Sequence, residues 1–388
     1  MELAPIADSR ALIDFCDRQR GADYLAVDTE FLRDRTYWPR LCLVQVAGPN
    51  EAVAIDTLAP ELDLQPLYDL MADRSLLKVF HAGRQDLEIF FHATGSIPEP
   101  LFDTQVAAMV CGFGDQVGYE GLVAKLVGAR TDKSSRFTDW SHRPLTQKQL
   151  KYALADVIHL RPAYEKLADE LEKTGRTNWL DQEMGVLMDP DTYRLDPDRA
   201  WRRLKSRNSN RRFHAVLREL AAWREREAQR RDVPRNRIVR DDAILELAAQ
   251  APATKDALSR SRALPKGYAN SAAGEAILEA VARAAAIPDA ELPAAPKREK
   301  RPSGLGPVTD LLKVLLKHVT EKYNVAPRLI ASADDLERIA ADDDADVRAL
   351  SGWRRELFGD HALALKRGEV ALTTKGNRTL LVDLQPDE

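Results

Sequence analysis

The first half of the chain alternates short apolar segments with longer stretches in which apolar positions recur every three or four residues. Short segments rich in Val, Ile and Leu are typical of buried strands, and the recurring positions are typical of amphipathic helices. Four segments predict strands, namely YLAVDTEF, LCLVQVAG, EAVAIDT and LLKVFHA. Because several helical stretches follow them, residues 1–195 predict an α/β domain in which helices flank a mixed sheet.

The second half of the chain is mainly helical in pattern. The proline-bearing stretch MDPDTYRLDPDRAW marks a domain boundary in front of it. Helical patterns then occupy residues 205–288, a segment rich in Pro, Ala and charge at 289–304 is typical of a linker, and helical patterns return over 305–388. The pattern therefore predicts two all-α modules behind the α/β domain.

The two helical modules look like distant copies of each other. Six positions of the first recur 92 residues later in the second, which indicates an internal repeat. The pairs are Val233 and Val325, Ile238 and Ile330, Asp242 and Asp334, Ile244 and Leu336, Leu247 and Ile339, and Ala248 and Ala340.

Composition narrows the class of protein. The 388 residues suffice for two or three domains with separate cores. Cys16, Cys42 and Cys111 have no paired spacing, so we expect neither disulfides nor a zinc site, and a reducing cytoplasm fits. No secretory leader is found, so we do not expect secretion. No apolar run reaches about 18 residues, so we expect no membrane span. No pattern favours an oligomer, and a monomer is the default expectation.

Positive charge is concentrated in one segment. The chain has a net charge of −4, but residues 201–240 contain 14 Lys and Arg against 4 Asp and Glu. Arginines interleaved with Trp, Phe and His favour nucleic-acid contact, although a solvated helix face with Glu–Arg pairs is the alternative. The candidate nucleic-acid contacts in this segment are Arg202, Arg203, Arg207, Arg211 and Arg212.

Five residues of the α/β domain form a candidate catalytic set. Asp28 and Glu30 share one face of a predicted strand, with Cα atoms roughly 6.8 Å apart. Tyr152 and Asp156 lie four apart on a predicted helix and share one of its faces, and Asp86 falls in the first turn of another helix. Carboxylates are the oxygen ligands that a pair of divalent ions requires for phosphodiester cleavage. A tyrosine hydroxyl beside them can orient the attacking water.

Each of these residues also has a structural interpretation. Asp28 and Glu30 fit surface charges on an edge strand, and Asp86 fits a partner of the helix dipole. Tyr152 fits packing, and Asp156 fits a solvated surface charge. The apolar residues around Asp28 indicate a buried strand, which argues against surface charges. Buried carboxylates are unfavourable unless a metal ion or hydrogen bonds compensate their charge, so burial favours a functional role. Asp103 precedes an apolar helical run and is expected to be an N-cap, and Thr146 with Gln149 fits a capping box.

Five segments in order resemble the exonuclease motifs of the DEDD superfamily in its tyrosine-bearing branch, and the whole chain resembles the ribonuclease D family. The branch that uses histidine places it shortly before the last aspartate, whereas this chain has Tyr152 there and His159 on the other side. The segments are VDTEFLRDRTYWPRLCLVQVAG, FHAGRQDLEIFFHATG, LFDTQVAAMVCG, DKSSRFTDWSHRPLT and YALADVIHL.

The resemblance implies an RNase H-like exonuclease domain followed by two HRDC-like domains. It implies metal-dependent 3′–5′ trimming of tRNA precursors and other small structured RNAs with a free 3′ end, with release of 5′-monophosphates. Asp28, Glu30, Asp86 and Asp156 would hold two Mg²⁺ or Mn²⁺ ions, and Tyr152 would position the nucleophile. A DNA 3′–5′ exonuclease and a non-catalytic RNA-binding scaffold remain alternatives. No G-x-x-x-x-G-K-[ST] loop supports a helicase.

Two further positions are candidate contacts of the terminal nucleotide. Phe31 could stack on a base, and Gln45 could donate or accept hydrogen bonds through its amide. Core packing is the alternative for both. The second helical module lacks the positive charge of the first, so we expect it to brace the architecture rather than to contact RNA.

Overall fold

The computed structural model describes residues 3–132, 134–135, 138–294, 302 and 304–384. Its N-terminal region contains the predicted mixed sheet, which has five strands in the order β3-β2-β1-β4-β5 and not only the four that the apolar pattern predicts. The pairs β1/β2 and β2/β3 are antiparallel, and β1/β4 and β4/β5 are parallel. The strands are β1 (Tyr24–Leu32), β2 (Arg40–Ala47), β3 (Ala52–Ile55), β4 (Leu77–Phe80) and β5 (Leu101–Asp103).

Seven helices accompany this sheet in the described part of the N-terminal region. They are α1 (Ser9–Gln19), α2 (Gln65–Ala72), α3 (Arg84–Thr94), α4 (Thr104–Val110), α5 (Tyr119–Leu126), α6 (Gln147–Thr174) and α7 (Thr177–Leu187). The 28-residue α6 begins at the predicted capping box of Thr146 and Gln149 and ends at Gly175, whose positive φ of 66° suits glycine. This helix packs on β1, β2 and β3 and so brings its side chains to the central strand.

The first helical module follows two 3₁₀ turns at Pro190–Thr192 and Pro197–Arg203. Apolar faces of its helices enclose a separate core that includes Leu217, Leu220, Ile244, Leu247 and Ile277. The helices are α8 (Arg211–Arg231), α9 (Arg235–Ile238), α10 (Asp241–Gln250), α11 (Lys255–Ser259) and α12 (Ala272–Ala286).

The C-terminal module repeats the start of the first module at the expected spacing of 92 residues. Its elements are α13 (Gly306–Tyr323), α14 (Pro327–Ile330), α15 (Ala333–Ala341), α16 (Gly352–Arg354), a π-helical segment (Arg355–Gly359), α17 (Asp360–Arg367), β6 (Val370–Lys375) and β7 (Arg378–Asp383). The long helices α8 and α13 end at Asp232 and Asn324, which both have positive φ, and short helices begin three residues later in each copy. This agreement supports the internal repeat.

One element of the C-terminal module differs from the all-helical expectation. Strands β6 and β7 form an antiparallel hairpin, in which Lys375 pairs with Arg378 across a two-residue turn. Gly376 in this turn has a φ of 61°, a conformation that favours glycine. The apolar residues Leu372 and Leu381 face the core, and this contact stabilises the hairpin at the end of the described chain.

The C-terminal module and the N-terminal region share one hydrophobic core. Leu312, Leu315 and Phe358 belong to the same buried cluster as Val110 and Met184 of the N-terminal region. Half of the linker expected at 289–304 lies outside the described residues. Among the described residues, we find no helix with the length and apolarity that a membrane crossing requires.

Candidate active site

Strand β1 and helix α6 bring three of the predicted carboxylates together. Asp28 and Glu30 alternate with buried Thr29 on β1 and therefore point to the face that α6 covers. Asp156 lies on α6, one turn after Tyr152. Oxygen atoms of Asp28, Glu30 and Asp156 all lie within 4.8 Å of one another. Residues distant along the chain thus form one carboxylate cluster.

Asp86 approaches this cluster from α3. It lies in the first turn of that helix and is buried, and its carboxylate accepts a short hydrogen bond from the Thr29 hydroxyl. Thr29 stands between Asp28 and Glu30 in β1, so this bond fixes Asp86 against the strand that carries the cluster. Asp86 therefore borders the three-carboxylate group through β1.

The cluster is unfavourable for negative charge. Burial raises the pKa of Asp28 well above its usual range, and the neighbouring carboxylates of Asp86, Asp156 and Glu30 raise it further. Burial also raises the pKa of Asp86 to about 7, although the bond from Thr29 opposes this shift. Ionised forms of these groups need a compensating positive charge, which is what a divalent cation supplies.

A cavity of about 570 Å³ opens beside the cluster. Asp28, Tyr152 and Asp156 line it, so both the carboxylates and the phenol have access to a bound molecule. Tyr152 packs against buried Trp140, with ring centroids 6.0 Å apart, and this contact restricts the phenol to the cavity wall. Other lining residues include His81, Ala82, Gln105, Tyr119, Glu120, Thr131 and Asp132.

Tyr119 is a cavity residue that the sequence interpretation missed. Its hydroxyl donates to the backbone carbonyls of Asp156 and Ala155, the latter at 3.2 Å. Burial and the nearby carboxylates raise the pKa of Tyr119, so the phenol stays protonated and continues to donate. The sequence offers no signal for this contact, because Tyr119 starts a separate short helix whose position depends on tertiary packing.

His81 also lines the cavity, as a neighbour of the site rather than a carboxylate partner. Its Nδ1 lies 3.0 Å from the hydroxyl of Thr104, and burial lowers the pKa of the ring. The ring meets Tyr119 edge to face, with centroids 5.5 Å apart. His81 and Tyr119 therefore form one wall of the cavity.

The two candidate nucleotide contacts on β1 and β2 have different surroundings. Phe31 is half-buried, with the guanidinium of Arg33 over its ring at 5.8 Å, and contact with RNA stays a prediction. Gln45 pairs with Asp28 across the strands but is fully buried under α6. This burial contradicts the expected contact of Gln45 with a nucleotide, because its side chain has no accessible surface.

The candidate arginines of the basic segment also separate into two groups. Arg211 donates to the carbonyl of Leu292 at 2.6 Å, and Arg212 donates to the carbonyl of Ile287 at 2.7 Å and to Asp289. Those bonds hold both guanidinium groups partly within the first helical module, and the contact of Arg211 and Arg212 with RNA stays a prediction.

Arg202, Arg203 and Arg207 are the other three candidates of this segment. Arg203 lies 3.3 Å from the buried carboxylate of Glu225 and so has a structural partner, although the residue is exposed. Arg202 and Arg207 are exposed as well, and no ion pair with another described residue is found for either. Arg202 and Arg207 therefore remain the best candidates for phosphate contact.

Family comparisons agree with this division of the chain. A family described as 3′-5′ exonuclease matches residues 3–172, and the HRDC domain family matches residues 213–281. A ribonuclease D of Granulibacter bethesdensis is 52% identical, with 97% of this chain and 96% of the relative covered. A ribonuclease D of Nitrobacter hamburgensis is 51% identical, with 97% and 99% covered.

A solved structure shows the same architecture. The Escherichia coli RNase D, described as an exoribonuclease involved in structured RNA processing, is 30% identical with a TM-score of 0.80. The comparison covers 95% of this chain and 99% of the E. coli protein. Similarity of this extent includes the N-terminal region and both helical modules.

Proposed function

The chain belongs to the ribonuclease D family of 3′–5′ exoribonucleases, and we propose that it trims 3′ trailers of tRNA precursors and other small structured RNAs. Nucleotides would leave one at a time as 5′-monophosphates, in a reaction assisted by two divalent ions. The observation that carries this proposal is the cluster of Asp28, Glu30 and Asp156, whose oxygens lie within 4.8 Å of one another.

The donor set fits hard cations such as Mg²⁺ or Mn²⁺, because it consists of carboxylate oxygens. Asp28, Glu30 and Asp156 would hold the ions, and Asp86 would complete the set directly or through water. When bound, two such ions activate the attacking water and stabilise the displaced oxygen. The raised pKa of Asp28 supports the fit, because a bound cation would offset both the burial and the carboxylate repulsion that raise it.

The remaining residues of the cavity place the RNA end. Tyr152 orients the attacking water through its hydroxyl, since it lines the cavity one helical turn from Asp156. A cavity of about 570 Å³ is of the size that holds small molecules, so it suits a strand end rather than a folded RNA body. Arg202 and Arg207, which are exposed, would hold that body through its phosphates.

We propose the corresponding domain boundaries at 1–195 for the exonuclease domain, 205–288 and 305–388 for the HRDC-like modules, and 289–304 for the linker. The protein acts as a monomer in the cytoplasm under this proposal. The cysteines support that compartment, because Cys16, Cys42 and Cys111 are all free and buried.

A trimming assay tests this function. A tRNA with a 3′ extension is incubated with wild-type protein, with and without chelator, and the released products are identified. Asp28→Asn is expected to reduce turnover more than about 100-fold while RNA binding persists. Asp169→Asn is the matched control, because it changes an exposed carboxylate on the same helix as Asp156. Wild-type turnover of Asp28→Asn, or full activity in chelator, would refute the proposal; a matched DNA strand tests sugar preference.

The raised carboxyl pKa values also predict a pH dependence of the metal-free protein. The folded pKa of Asp86 is about 7, above its unfolded value of about 3.9, so its contribution to stability is complete below pH 4 and is lost as pH rises through 7. The neighbours that face it are Asp28 and Asp103. Asp86→Asn should therefore flatten the fall in melting temperature between pH 4 and pH 7. Equal falls in both proteins would contradict this.

A further inference from the structure

We propose that Asp103 is a positioning residue of the active site, which holds the turn formed by His81, Ala82 and Gly83 and thereby the start of α3. This inference rests on the proposed metal site, because α3 carries Asp86. Asp103 ends a different strand, β5, and its carboxylate accepts hydrogen bonds from backbone amides of the turn. Its effect on the site is therefore indirect.

The carboxylate of Asp103 is buried and accepts four backbone hydrogen bonds. Two come from the first turn of α4, from Gln105 N at 2.8 Å and Val106 N at 3.3 Å. Two come from the turn before α3, from Ala82 N at 3.1 Å and Gly83 N at 2.8 Å. With 2% of its surface exposed, Asp103 exchanges few of these bonds for water. One side chain thus joins two helix starts.

The turn before α3 depends on such support. Ala82 has a φ of +55°, which is unfavourable for a residue with a side chain. At Gly83, a Cβ atom would lie 2.6 Å from that of Phe80, so the backbone packs closely against β4. Gly83 is also the N-cap of α3 and offers no side-chain cap. Asp103 supplies from outside the turn the acceptors that the turn itself lacks.

Thr104 continues the same connection. Its hydroxyl donates to the carbonyl of Phe80 at 3.1 Å and lies 3.0 Å from Nδ1 of His81. His81 and Ala82 both line the cavity, and Asp86 follows Gly83 by three residues. The pair Asp103–Thr104 therefore holds both a wall of the cavity and the helix start that presents Asp86.

The alternative is that Asp103 only caps α4. Serine separates the two roles, because it is as good an N-cap as aspartate but its single, shorter hydroxyl cannot also reach the turn before α3. Asp103→Ser therefore keeps the α4 cap and removes the support of Ala82 and Gly83. Asp8→Ser is the matched control, since Asp8 caps α1 through one bond to Ala11 N.

The test measures Mn²⁺ binding to RNA-free protein, by the electron paramagnetic resonance signal of free Mn²⁺, and hydrogen exchange of the backbone amides at residues 81–87. Asp103→Ser should bind Mn²⁺ about tenfold more weakly, a typical effect of losing support around a metal site, and exchange faster at Ala82 and Gly83. Asp8→Ser should match wild type in both. Unchanged binding and exchange in Asp103→Ser, or equal changes in Asp8→Ser, would overturn the inference.

Two additional proteins keep the result decisive. If Asp103→Ser does not fold, Thr104→Val tests the same connection with an isosteric change, and about threefold weaker Mn²⁺ binding is expected from the lost hydrogen bonds. Unchanged Mn²⁺ binding in that variant would overturn the inference. Asp28→Asn is measured in parallel and should lose Mn²⁺ binding. If Asp28→Asn binds Mn²⁺ like wild type, the proposed metal site is wrong. If Asp28→Asn loses Mn²⁺ binding but Asp103→Ser binds like wild type, only the proposed role of Asp103 is wrong.

Discussion

The two helical modules begin with the same helices but meet the exonuclease domain in different ways. The first has its own hydrophobic core, against which Tyr37 of the exonuclease domain packs, and Asp232 accepts hydrogen bonds from Tyr37 N and Trp38 N at 3.0 Å each. The C-terminal module shares the core of the exonuclease domain. The same repeated sequence pattern thus forms a module with a separate core in the first copy. In the second copy it forms part of the core of the catalytic domain.

Equivalent residues of the two copies make these contrasting contacts. Asp232 and Asn324 lie 92 residues apart and both end a long helix with positive φ. Asn324 approaches so closely that a Cβ on Gly112 would lie 2.4 Å from its carbonyl oxygen. Nearby, Arg176 donates to the carbonyls of Tyr323 at 2.6 Å and Val110 at 3.0 Å. Equivalent positions of the two copies therefore contact the exonuclease domain. The groups that make the contact and the distance between the two backbones differ.

The largest expected effect is that of deleting the C-terminal module. Removal of residues 295–388 exposes the part of the shared core that the C-terminal module covers, so the remaining protein should aggregate or lose its cooperative melting transition. Residues 196–294 expressed alone should instead fold, because they contain the complete core of the first module. Soluble yield and thermal melts measure both. A 1–294 protein with the wild-type melting temperature would erase the distinction between the modules.

The next effect concerns the close approach at Gly112. Gly112→Ala adds a methyl group against Asn324 and should lower the free energy of unfolding by about 2–4 kcal/mol, through overpacking and the positive φ of 81°. Gly114→Ala is the control: its φ is 95° but nothing lies near its Cβ, so only about 1 kcal/mol should be lost. Denaturant titrations measure both values. Equal losses would show that the contact with Asn324 does not contribute.

A smaller effect is expected at the polar junction of the first module. Asp232→Gly keeps the positive φ and removes the two bonds to Tyr37 and Trp38, so the free energy of unfolding should fall by about 1 kcal/mol or less. Hydrogen exchange at residues 35–39 should accelerate, while exchange in the cores of both regions stays unchanged. Acceleration throughout the exonuclease domain would show that the junction is as integral as the C-terminal one.

The smallest effect is on RNA affinity. Neutralising Arg202 and Arg207 with glutamine should weaken RNA binding and reduce the salt dependence of log K by about 0.7 for each lost phosphate contact. Lys317→Gln with Lys322→Gln is the matched change in the C-terminal module, which we expect to leave the salt dependence unaltered. Binding titrations at several salt concentrations give the slopes. If both double variants had the same salt dependence, the two helical modules would not differ in their contact with RNA.

Patterns along the chain predict the elements of this fold better than the environment of single side chains. The four predicted strand segments correspond to β1 to β4, whereas β5 has three residues and is too short to show alternation. The hairpin of β6 and β7 has apolar residues on both sides of a Lys-Gly-Asn turn. The prediction of an all-helical module overlooked this turn signal.

The candidate site shows the same limit. Spacing and residue type place Asp28 with Glu30 and Tyr152 with Asp156, but the distance between the two pairs depends on how α6 packs on the sheet. Gln45 has the polarity of a contact residue, and only the tertiary structure shows that α6 buries it. Asp103 fits an N-cap from sequence, and its bonds to Ala82 and Gly83 require the pairing of β4 with β5.

The central claim is that the carboxylate cluster holds two divalent ions. Anomalous diffraction from crystals soaked in Mn²⁺ tests it most directly. Two peaks about 3.5–4 Å apart are expected among Asp28, Glu30, Asp86 and Asp156, since two-metal sites have that separation. The account would be contradicted if no peak appeared in the cluster at a Mn²⁺ concentration that supports full exonuclease activity. A single peak away from Asp28 would also contradict it.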